Sequence, residues 1–404
     1  MPGLKTLAVV AAVKGGARWE DEARSGWSHL LEHLVFKGAG DMAAREIVER
    51  IEAEGGSINA ATGYERTSFE VRGLEGSLGL SMQVLSDLLF RPTLDPDEIE
   101  REKDVVAQEI AEAFDTPDDH VFEMAQTQAF AGQPLGRPIL GSNDSLRPVD
   151  REGIAAWRRA LYAPERMVVT ASGAVDEAEL LALAERWFGA EACSGDRAAP
   201  EAARFTGGHD RLSRRIEQSN LVFQLPGLAA TDPALPAMRL FGEILGGGMA
   251  SRLFQSAREE RGLAYAIDAY QEAYEDTGVL GVYAGAAADR AVALAEVAAA
   301  EVRGLAEQGP TAAELSRAKA VLKGGLWMAD ENPMSRAGRA AAQALIFGAP
   351  VPTDVSVEQM EAVTADDLRA VGARLLEGGR AATAVLGPRA GAPAGEAFSR
   401  ALFA

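Results

Sequence analysis

The sequence predicts an α+β protein of two similar halves, each a mixed, mainly antiparallel sheet flanked by helices. Three observations support this class. The chain of 404 residues is too long for one ordinary hydrophobic core, so two or more domains are expected. Stretches with strand-like alternation are interspersed with amphipathic helical stretches. After a small, polar segment near the middle of the chain, the order of elements starts again.

In the first half, the elements follow from periodicity and from local stop signals. A strand opens the chain in "LAVVAAV", and a later strand shows the alternation of Thr67, Phe69 and Val71. The helix "AREIVERIEAE" ends at the glycine pair 55–56, and the long helix after Asp95 takes that aspartate as its N-cap. The other elements predicted here are the helices "GWSHLLEHLVF", "EGSLGLSMQVLSDLLF" and "DEAELLALAERWFG" and the strand "ERMVVTASGAV".

The second half repeats this order of elements with little residue identity. "SNLVFQLPGL" and "GVLGVYAGAA" are strand-like, and the helical stretch between them is interrupted by "GGGMAS". Long helices are expected through residue 378, followed by a late strand in "AATAVLG". The predicted domains are therefore residues 1–190 and 208–404, with a linker at 191–207 that has little periodicity.

Composition excludes several classes of function. Forty Lys+Arg against sixty Asp+Glu give a net charge of −20 at pH 7, which argues against binding to nucleic acid or to anionic membranes. No apolar run approaches the roughly 20 residues that cross a bilayer, and the first residues lack a signal-peptide layout. The single cysteine, Cys193, excludes an internal disulfide and a thiolate-rich metal site. We therefore expect a cytoplasmic protein.

The stretch "HLLEH" carries the strongest chemical signal. On a helix, positions i, i+3 and i+4 share one face, so His29, Glu32 and His33 point the same way. Two neutral imidazoles one turn apart can bind one zinc ion, and the glutamate between them is placed to take a proton from zinc-bound water. This order, H-x-x-E-H, is the inverzincin signature, and chance would produce it about 0.004 times in such a chain. The alternative is an apolar helix that carries two structural histidines.

Zinc catalysis also needs a third protein ligand and one open position. Neither His120 nor His209 has supporting context, so a carboxylate is expected. Glu102 and Glu109 are candidates because they lie seven residues, and hence two turns, apart on one helix face. The adjoining valine pair 105–106 indicates that this face is turned inward, where carboxylates need a cationic partner. Spacing alone does not choose among the sixty acidic residues.

The chain resembles the pitrilysin (insulysin) family of zinc peptidases, in particular its bacterial branch similar to the mitochondrial processing peptidases. The matching segments run in family order: "GGARWEDEARSGWSHLLEHLVFKGAG", "GGSINAATGYERTSFEV", "DEIEREKDVVAQEI", "DTPDDHVFE" and "LGGGMASRLFQSAREERGLAYAI". The resemblance implies one Zn²⁺ per chain, held by His29, His33 and Glu109, because the family's third ligand stands about 76 residues beyond the second histidine. It also implies that Glu32 is the general base and that Glu102 supports the site.

The resemblance implies substrate contacts as well. The family pairs an extended peptide with an edge strand, and "SINAAT" matches that strand, with Asn59 and Ala60 as the contacts to substrate backbone. A turn-rich strand entry is the alternative for this segment. Asp119 and Glu123 match the places where the processing peptidases receive a substrate arginine, although acidic residues are common at the start of any polar helix.

Two departures from the family bear on partners and on the chain start. The second half has no H-x-x-E-H, and "RLFGE" at 239–243 stands in the equivalent place, so this half is expected to bind no metal. Many relatives carry an arginine–tyrosine pair that contacts the reacting carbonyl, whereas Gly281 and Ala288 align there. A partner chain would then supply the pair. A single chain of two halves cannot enclose a peptide as a four-domain peptidase does, so the resemblance implies a dimer, either a homodimer or a heterodimer with a homologous subunit. Relatives usually begin with one further strand, which implies a longer start or a shorter chain here.

Together, these observations predict a zinc endopeptidase that acts on peptides or unfolded protein segments. One rival is a non-catalytic subunit that binds peptides, or serves as a scaffold, and retains the metal site. Another is a structural zinc site with no open position.

Overall fold

The computed structural model describes residue 1, residues 3–189 and residues 199–404. The part of the predicted linker at 191–198, with Cys193, lies outside the described residues. The strands are β1 (Thr6–Val13), β2 (Gly38–Ala39), β3 (Met42–Ala43), β4 (Ser57–Thr62), β5 (Thr67–Leu74), β6 (Met167–Gly173), β7 (Gly208–Ser213), β8 (Gln218–Pro226), β9 (Ala266–Ala273), β10 (Gly278–Ala287) and β11 (Ala382–Gly387).

Helices occupy most of the intervening chain. A π-helical turn, Phe254–Glu259, follows the predicted glycine break. The α-helices are α1 (Trp27–Val35), α2 (Ala44–Ala53), α3 (Leu78–Phe90), α4 (Pro96–Asp115), α5 (Pro117–Ala129), α6 (Asn143–Leu146), α7 (Arg151–Leu161), α8 (Glu177–Phe188), α9 (Leu235–Gly246), α10 (Ala291–Gln308), α11 (Ala312–Glu331), α12 (Pro333–Phe347), α13 (Thr353–Ala362), α14 (Ala365–Glu377) and α15 (Ala394–Phe403).

The chain divides into two compact units. Unit 1 comprises Met1–Ala111, Pro138–Pro200 and Trp327–Val351; unit 2 comprises Glu112–Arg137, Glu201–Leu326 and Pro352–Ala404. Each unit is built from three separate segments of the chain. The predicted domains, 1–190 and 208–404, are each one continuous segment. Helix α5 belongs to unit 2 and helix α12 to unit 1.

The sheet of unit 1 has the strand order β4–β5–β1–β6, and every neighbouring pair is antiparallel. The central strand β1 sets Val9 opposite Val71 of β5 and Ala171 of β6. Strand β4 forms one edge of this sheet. The two-stranded ribbon β2–β3 lies outside it.

Strand β1 is buried on both faces, which explains its unbroken apolar sequence. Alternate residues such as Val9 enter the core formed with the helices that include α1 and α3. The opposite set, including Val10, packs against Ala337 and Ala341 of α12. Thr170 of β6 donates a hydrogen bond to the carbonyl oxygen of Ala337 over 2.9 Å, which fixes this helix to the sheet.

The sheet of unit 2 has the order β7–β11–β8–β10–β9, with β7 parallel to β11 and the other pairs antiparallel. The run β9–β10–β8–β11 repeats β4–β5–β1–β6 of unit 1, so the predicted α+β fold of two similar halves is confirmed. One face of this sheet packs on α9, α10, α14 and α15. Helix α5 covers the other face, where Val121 and Met124 pack beside Val222 and Leu386.

Strands β7 and β9 were not foreseen from the sequence. They are the two edge strands of their sheet, so few of their residues are buried: none in β7 and only Ile267 in β9. None of the described helices is both long enough and apolar enough to cross a lipid bilayer.

Candidate metal centre

The start of helix α1 is held by a buried carboxylate. Glu20, only 3% exposed, accepts hydrogen bonds from the backbone N–H groups of Gly26 (2.8 Å) and Ser28 (2.7 Å). These donors have no partner within the helix, and a negative charge at a helix N-terminus is favourable. Gly26 has φ of 87°, and a Cβ there would lie 2.5 Å from the carbonyl oxygen of Leu140. The Glu20 carboxylate and the close packing at Gly26 together fix the position at which helix α1 begins.

Helix α1 has one apolar and one polar face. Leu30, Leu31 and Leu34 are fully buried in the core of unit 1. Burial of each leucine side chain contributes about 1.5–3 kcal/mol, which fixes the rotation of the helix about its axis. The H-x-x-E-H side chains of residues 29–33 consequently share the opposite face.

The structure brings His29 and His33 together with Glu109 of α4. Their candidate ligand atoms all lie within 4.8 Å of one another. Oε2 of Glu109 is 3.8 Å from Nε2 of His29 and 3.6 Å from Nε2 of His33. Ligand atoms bound tetrahedrally to one zinc ion at about 2.0–2.1 Å are separated by roughly 3.3–3.4 Å. The two distances from Glu109 are therefore close to those expected around a zinc ion.

The protonation of these residues suits a metal. Burial, and then the charge of His33, lower the pKa of His29 to about 4. His29 is therefore neutral at pH 7, and its contact with Glu109 is not an ion pair. Nδ1 of His29 and Oε2 of Glu109 are buried and have no hydrogen-bond partner among the described residues. Since buried polar atoms are normally paired, the orphan Oε2 of Glu109, which faces Nε2 of both histidines, favours a cation at this site.

Glu32 stands beside the cluster and has the properties of a base. Burial raises the pKa of Glu32, and hydrogen bonds from Thr62 of β4 offset part of the rise. Its Oε2 atom is buried and accepts no hydrogen bond from a described residue. The carboxylate is thus free to take a proton from a molecule bound next to it.

Glu102 lies behind the cluster and not within it. Its carboxylate is buried, and Oε2 lies 3.0 Å from Nδ1 of His33. The other oxygen, Oε1, lies 2.7 Å from Nζ of Lys37, a residue that the sequence analysis did not single out. Contrary to the expectation from the sequence, the valine pair 105–106 does not mark one inward face, because Val106 is fully buried but Val105 is 38% exposed.

Asn59 and Ala60 lie on the edge strand β4 of unit 1. Asn59 is exposed and Ala60 is half-buried, and the strand pairs with β5 on one side in the described sheet. Thr62, at the end of the same strand, is the residue that hydrogen-bonds to Glu32. The edge strand therefore runs up to the candidate base.

Asp119 and Glu123 lie on α5, in unit 2. Asp119 is exposed, and Oε2 of Glu123 lies 3.3 Å from Nδ1 of His120. His209 lies on β7 of the same unit, and its Nδ1 is 2.8 Å from the hydroxyl of Thr383. Both histidines thus have partners of their own within unit 2.

Gly281, aligned with the arginine of the family's pair, lies on β10 under an aromatic ring. A Cβ at this position would lie 2.1 Å from Cζ of Tyr270. The ring crosses Gly281 to reach the next strand, where the Gln224 side chain donates a hydrogen bond to the Tyr270 hydroxyl over 2.9 Å. The local packing thus leaves no room for a side chain at 281.

Comparisons with known proteins cover nearly the whole chain. Residues 3–143 match the family model described as insulinase (peptidase family M16), and residues 148–322 match the model described as the peptidase M16 inactive domain. A Rickettsia bellii protein named "uncharacterized zinc protease" is 32% identical over 389 residues, which cover 96% of this chain and 94% of that protein. The Bacillus subtilis "uncharacterized zinc protease YmxG" is 31% identical, covering 93% and 91%.

Solved structures show the same fold. The crystal structure of a protease from Helicobacter pylori aligns with a TM-score of 0.88 at 21% identity, covering 96% of this chain and 95% of that one. A Pseudomonas fluorescens structure described as a peptidase M16 inactive domain also gives a TM-score of 0.88, at 18% identity, covering 96% and 94%.

Proposed function

The chain belongs to the M16 (insulinase) family of peptidases, and on that premise we propose that it is a zinc-dependent endopeptidase acting on peptides or unfolded protein segments. The observation that carries the proposal is the convergence of two imidazoles and a carboxylate beside a second carboxylate with a raised pKa. A structural zinc site would not need the second carboxylate.

Each residue of the centre has a distinct role in this proposal. His29, His33 and Glu109 would hold the zinc ion, one per chain. When bound, zinc supplies an electrophile that polarises a carbonyl group and lowers the pKa of water. Glu32 accepts a proton from the attacking water and returns it to the amine that leaves. Its raised pKa brings it nearer the operating pH, where a group can serve as both base and acid.

Strand β4 is the proposed docking site for substrate backbone. An edge strand offers unpaired N–H and C=O groups, and an extended peptide can pair with them without regard to its side chains. Asn59 and Ala60 are the positions proposed for this contact, since Thr62 of the same strand touches Glu32. Such pairing favours peptides and unfolded segments, because a folded substrate has its backbone groups engaged.

Asp119 and Glu123 are proposed to receive a basic side chain of the substrate. Asp119 is exposed, and the described contact of Glu123 is with His120 on its own helix, at 3.3 Å. Two carboxylates one turn apart on α5 would bind an arginine through charge-assisted hydrogen bonds.

A partner subunit is proposed because the chain has glycine and alanine where relatives carry an arginine–tyrosine pair. The Tyr270 ring over Gly281 supports the view that this half has no group to offer the reacting carbonyl. A heterodimer with a homologous subunit that carries the pair would complete the centre, whereas a homodimer would help to enclose the peptide without supplying the pair.

A second candidate function is a non-catalytic subunit that binds peptides or serves as a scaffold. The match of residues 148–322 to a domain described as inactive, together with Gly281, favours it. The intact H-x-x-E-H and its third carboxylate favour the enzyme.

The two candidates differ in one experiment on the full chain. Zinc content is measured by metal analysis, oligomeric state by size-exclusion chromatography, and cleavage with a quenched-peptide library, for the chain alone and mixed with a homologous subunit. The endopeptidase predicts one zinc per chain and chelator-sensitive cleavage that returns with added zinc. Zinc binding without cleavage under every pairing would leave the non-catalytic role.

A further inference from the structure

Lys37 forms the outer end of a chain of contacts that reaches the candidate metal ligand His33. Nζ of Lys37 lies 2.7 Å from Oε1 of Glu102, and Oε2 of Glu102 lies 3.0 Å from Nδ1 of His33. Glu102 is 4% exposed, so its carboxylate has little access to water. The three residues all belong to unit 1.

The position of Lys37 follows from the end of helix α1. The helix ends at Val35, and the backbone N–H of Lys37 donates to the carbonyl oxygen of Leu34 over 3.1 Å. A cation is favoured at a helix C-terminus, where the carbonyl groups concentrate negative potential. One helix thus carries the histidine at its polar face and the ammonium at its end, while α4 carries the carboxylate between them.

A buried carboxylate needs a compensating charge. As a zinc ligand, His33 would be neutral and would give Glu102 a hydrogen bond but no charge, so Lys37 is the countercharge in contact with the buried carboxylate. Glu32, Glu102 and Glu109 together carry three negative charges when ionised. A zinc ion would balance two of them, and the ammonium of Lys37 balances the third.

We propose that Lys37 is a positioning residue of the metal centre, which holds the Glu102 carboxylate and, through it, the His33 ring. A carboxylate that is ion-paired with Lys37 only accepts hydrogen bonds, so Nδ1 of His33 carries the hydrogen. Nε2 then presents its lone pair towards Glu109, from which it is 3.6 Å distant. The ring orientation that zinc requires is therefore set by a residue that touches neither zinc nor substrate.

The chain offers a matched control on α4. Nζ of Lys103 also pairs with a glutamate, Glu100, at 2.7 Å, and it donates to the carbonyl oxygen of Arg147. Its side chain is 13% exposed, so it is no more accessible than Lys37, which is 32% exposed. Lys103 has no contact with Glu102 or His33 among the hydrogen bonds described, and its replacement tests for general loss of charge.

The test measures zinc affinity by chelator competition on the full chain, together with the visible absorption of the cobalt-substituted protein. We expect Lys37→Met to weaken zinc binding about 10- to 100-fold, as loss of an outer-shell partner does, and to change the cobalt spectrum. Lys37→Arg, which retains the charge, should recover most of the affinity. Lys103→Met should bind zinc and cobalt as the unaltered chain does.

A double-mutant cycle guards against a variant that folds poorly. If Lys37 acts through Glu102, then Lys37→Met should weaken zinc binding far less in a Glu102→Gln background than in the original chain. Equal losses in both backgrounds, or wild-type affinity and spectrum for Lys37→Met, would overturn the proposal. The role of Lys37 rests on the proposed zinc centre, but different results would refute the two proposals. A parent chain that binds no zinc refutes the zinc centre. A parent chain that binds zinc, with a Lys37→Met variant that binds it equally well, refutes only the role of Lys37.

Discussion

Nε2 of His33 lies 3.6 Å from Oε2 of Glu109, although 76 positions separate the two residues in the sequence. This distance is too long for a hydrogen bond and close to the separation of two ligand atoms on one zinc ion. Helices α1 and α4 thus hold the two atoms at a distance that suits shared binding of a cation better than a direct hydrogen bond.

Glu109→Ala should abolish stable zinc binding. Removal of a direct ligand leaves two imidazoles to hold the ion, so we expect affinity to fall by more than the 10- to 100-fold typical of an outer-shell partner. Metal analysis after dialysis measures the effect. Glu112→Ala alters an exposed glutamate one turn further along α4 and should keep full zinc content. Full occupancy in Glu109→Ala would mean that another carboxylate is the third ligand.

Glu32→Gln should separate zinc binding from catalysis. The glutamine amide has the size of the glutamate side chain but cannot accept a proton near neutral pH. The value of kcat/KM for a quenched peptide should therefore fall about 10²- to 10⁴-fold. Zinc content should be unchanged, because Glu32 is not among the three clustered ligands. Glu52→Gln, on the exposed face of α2, is the control. Cleavage at the original rate would remove Glu32 from the mechanism.

Glu314→Gln should destabilise unit 2 in a pH-dependent way. Arg252 donates to both carboxylate oxygens of Glu314, at 2.7 and 3.0 Å, and with Thr311 lowers the pKa of Glu314 to about 2. Because the folded pKa lies below the unfolded value of 4.5, this stabilisation is complete above about pH 4.5. It is lost as the pH falls towards 2.

We expect Glu314→Gln to lower the free energy of unfolding by about 1–2 kcal/mol at pH 7, allowing for solvent screening. The difference from the parent chain should shrink below pH 4.5 in denaturant titrations. Glu361→Gln, which removes an exposed pair with Lys323, should show no measurable change at either pH. A difference that stayed constant down to pH 3 would contradict the assignment.

Gly281→Ala should reveal the packing of Tyr270. The added methyl group would meet the ring at 2.1 Å, so the ring must leave its hydrogen bond with Gln224, at an expected cost of about 1–3 kcal/mol in urea unfolding. Gly285→Ala is the matched control on the same strand, because the nearest heavy atom to its added Cβ would be 3.6 Å away, an ordinary van der Waals contact. In a Tyr270→Ala background, the cost of Gly281→Ala should largely vanish; full additivity would show that the two positions do not interact.

The sequence was informative where one helix carries the chemistry. The spacing of His29, Glu32 and His33 places them on one face of any α-helix, so their proximity required no knowledge of the tertiary fold. Asp95 likewise caps α4 as predicted, since its side chain accepts from the backbone of Asp97. Glu109 was one of sixty acidic residues, and it was singled out by the resemblance rather than by its own pattern.

Lys37 was missed although a signal for it existed. It stands four residues after His33, one helical turn further along, at the place where a cation favours the end of α1. For Val105, by contrast, the sequence pattern predicted burial and the side chain is exposed. Adjacent helix residues point about 100° apart, so a pair of valines cannot both mark the same buried face.

The exchange of α5 and α12 between the units was beyond reach of the sequence. Helical periodicity shows which face of a helix is apolar, but it does not show which sheet that face covers. The small residues Ala337 and Ala341 of α12 are equally suited to several close-packed surfaces.

Helix α12 packs on a sheet whose strands all come much earlier in the chain, and this determines the order in which that part of unit 1 is made. All three candidate ligands, and the four strands of their sheet, precede α12 in the chain and are synthesised before it. The face of that sheet formed by Ala8, Val10 and Ala12 is covered by residues 333–347, which are made after all four strands. During synthesis, the four strands of this sheet are therefore complete before the helix that covers one of its apolar faces exists.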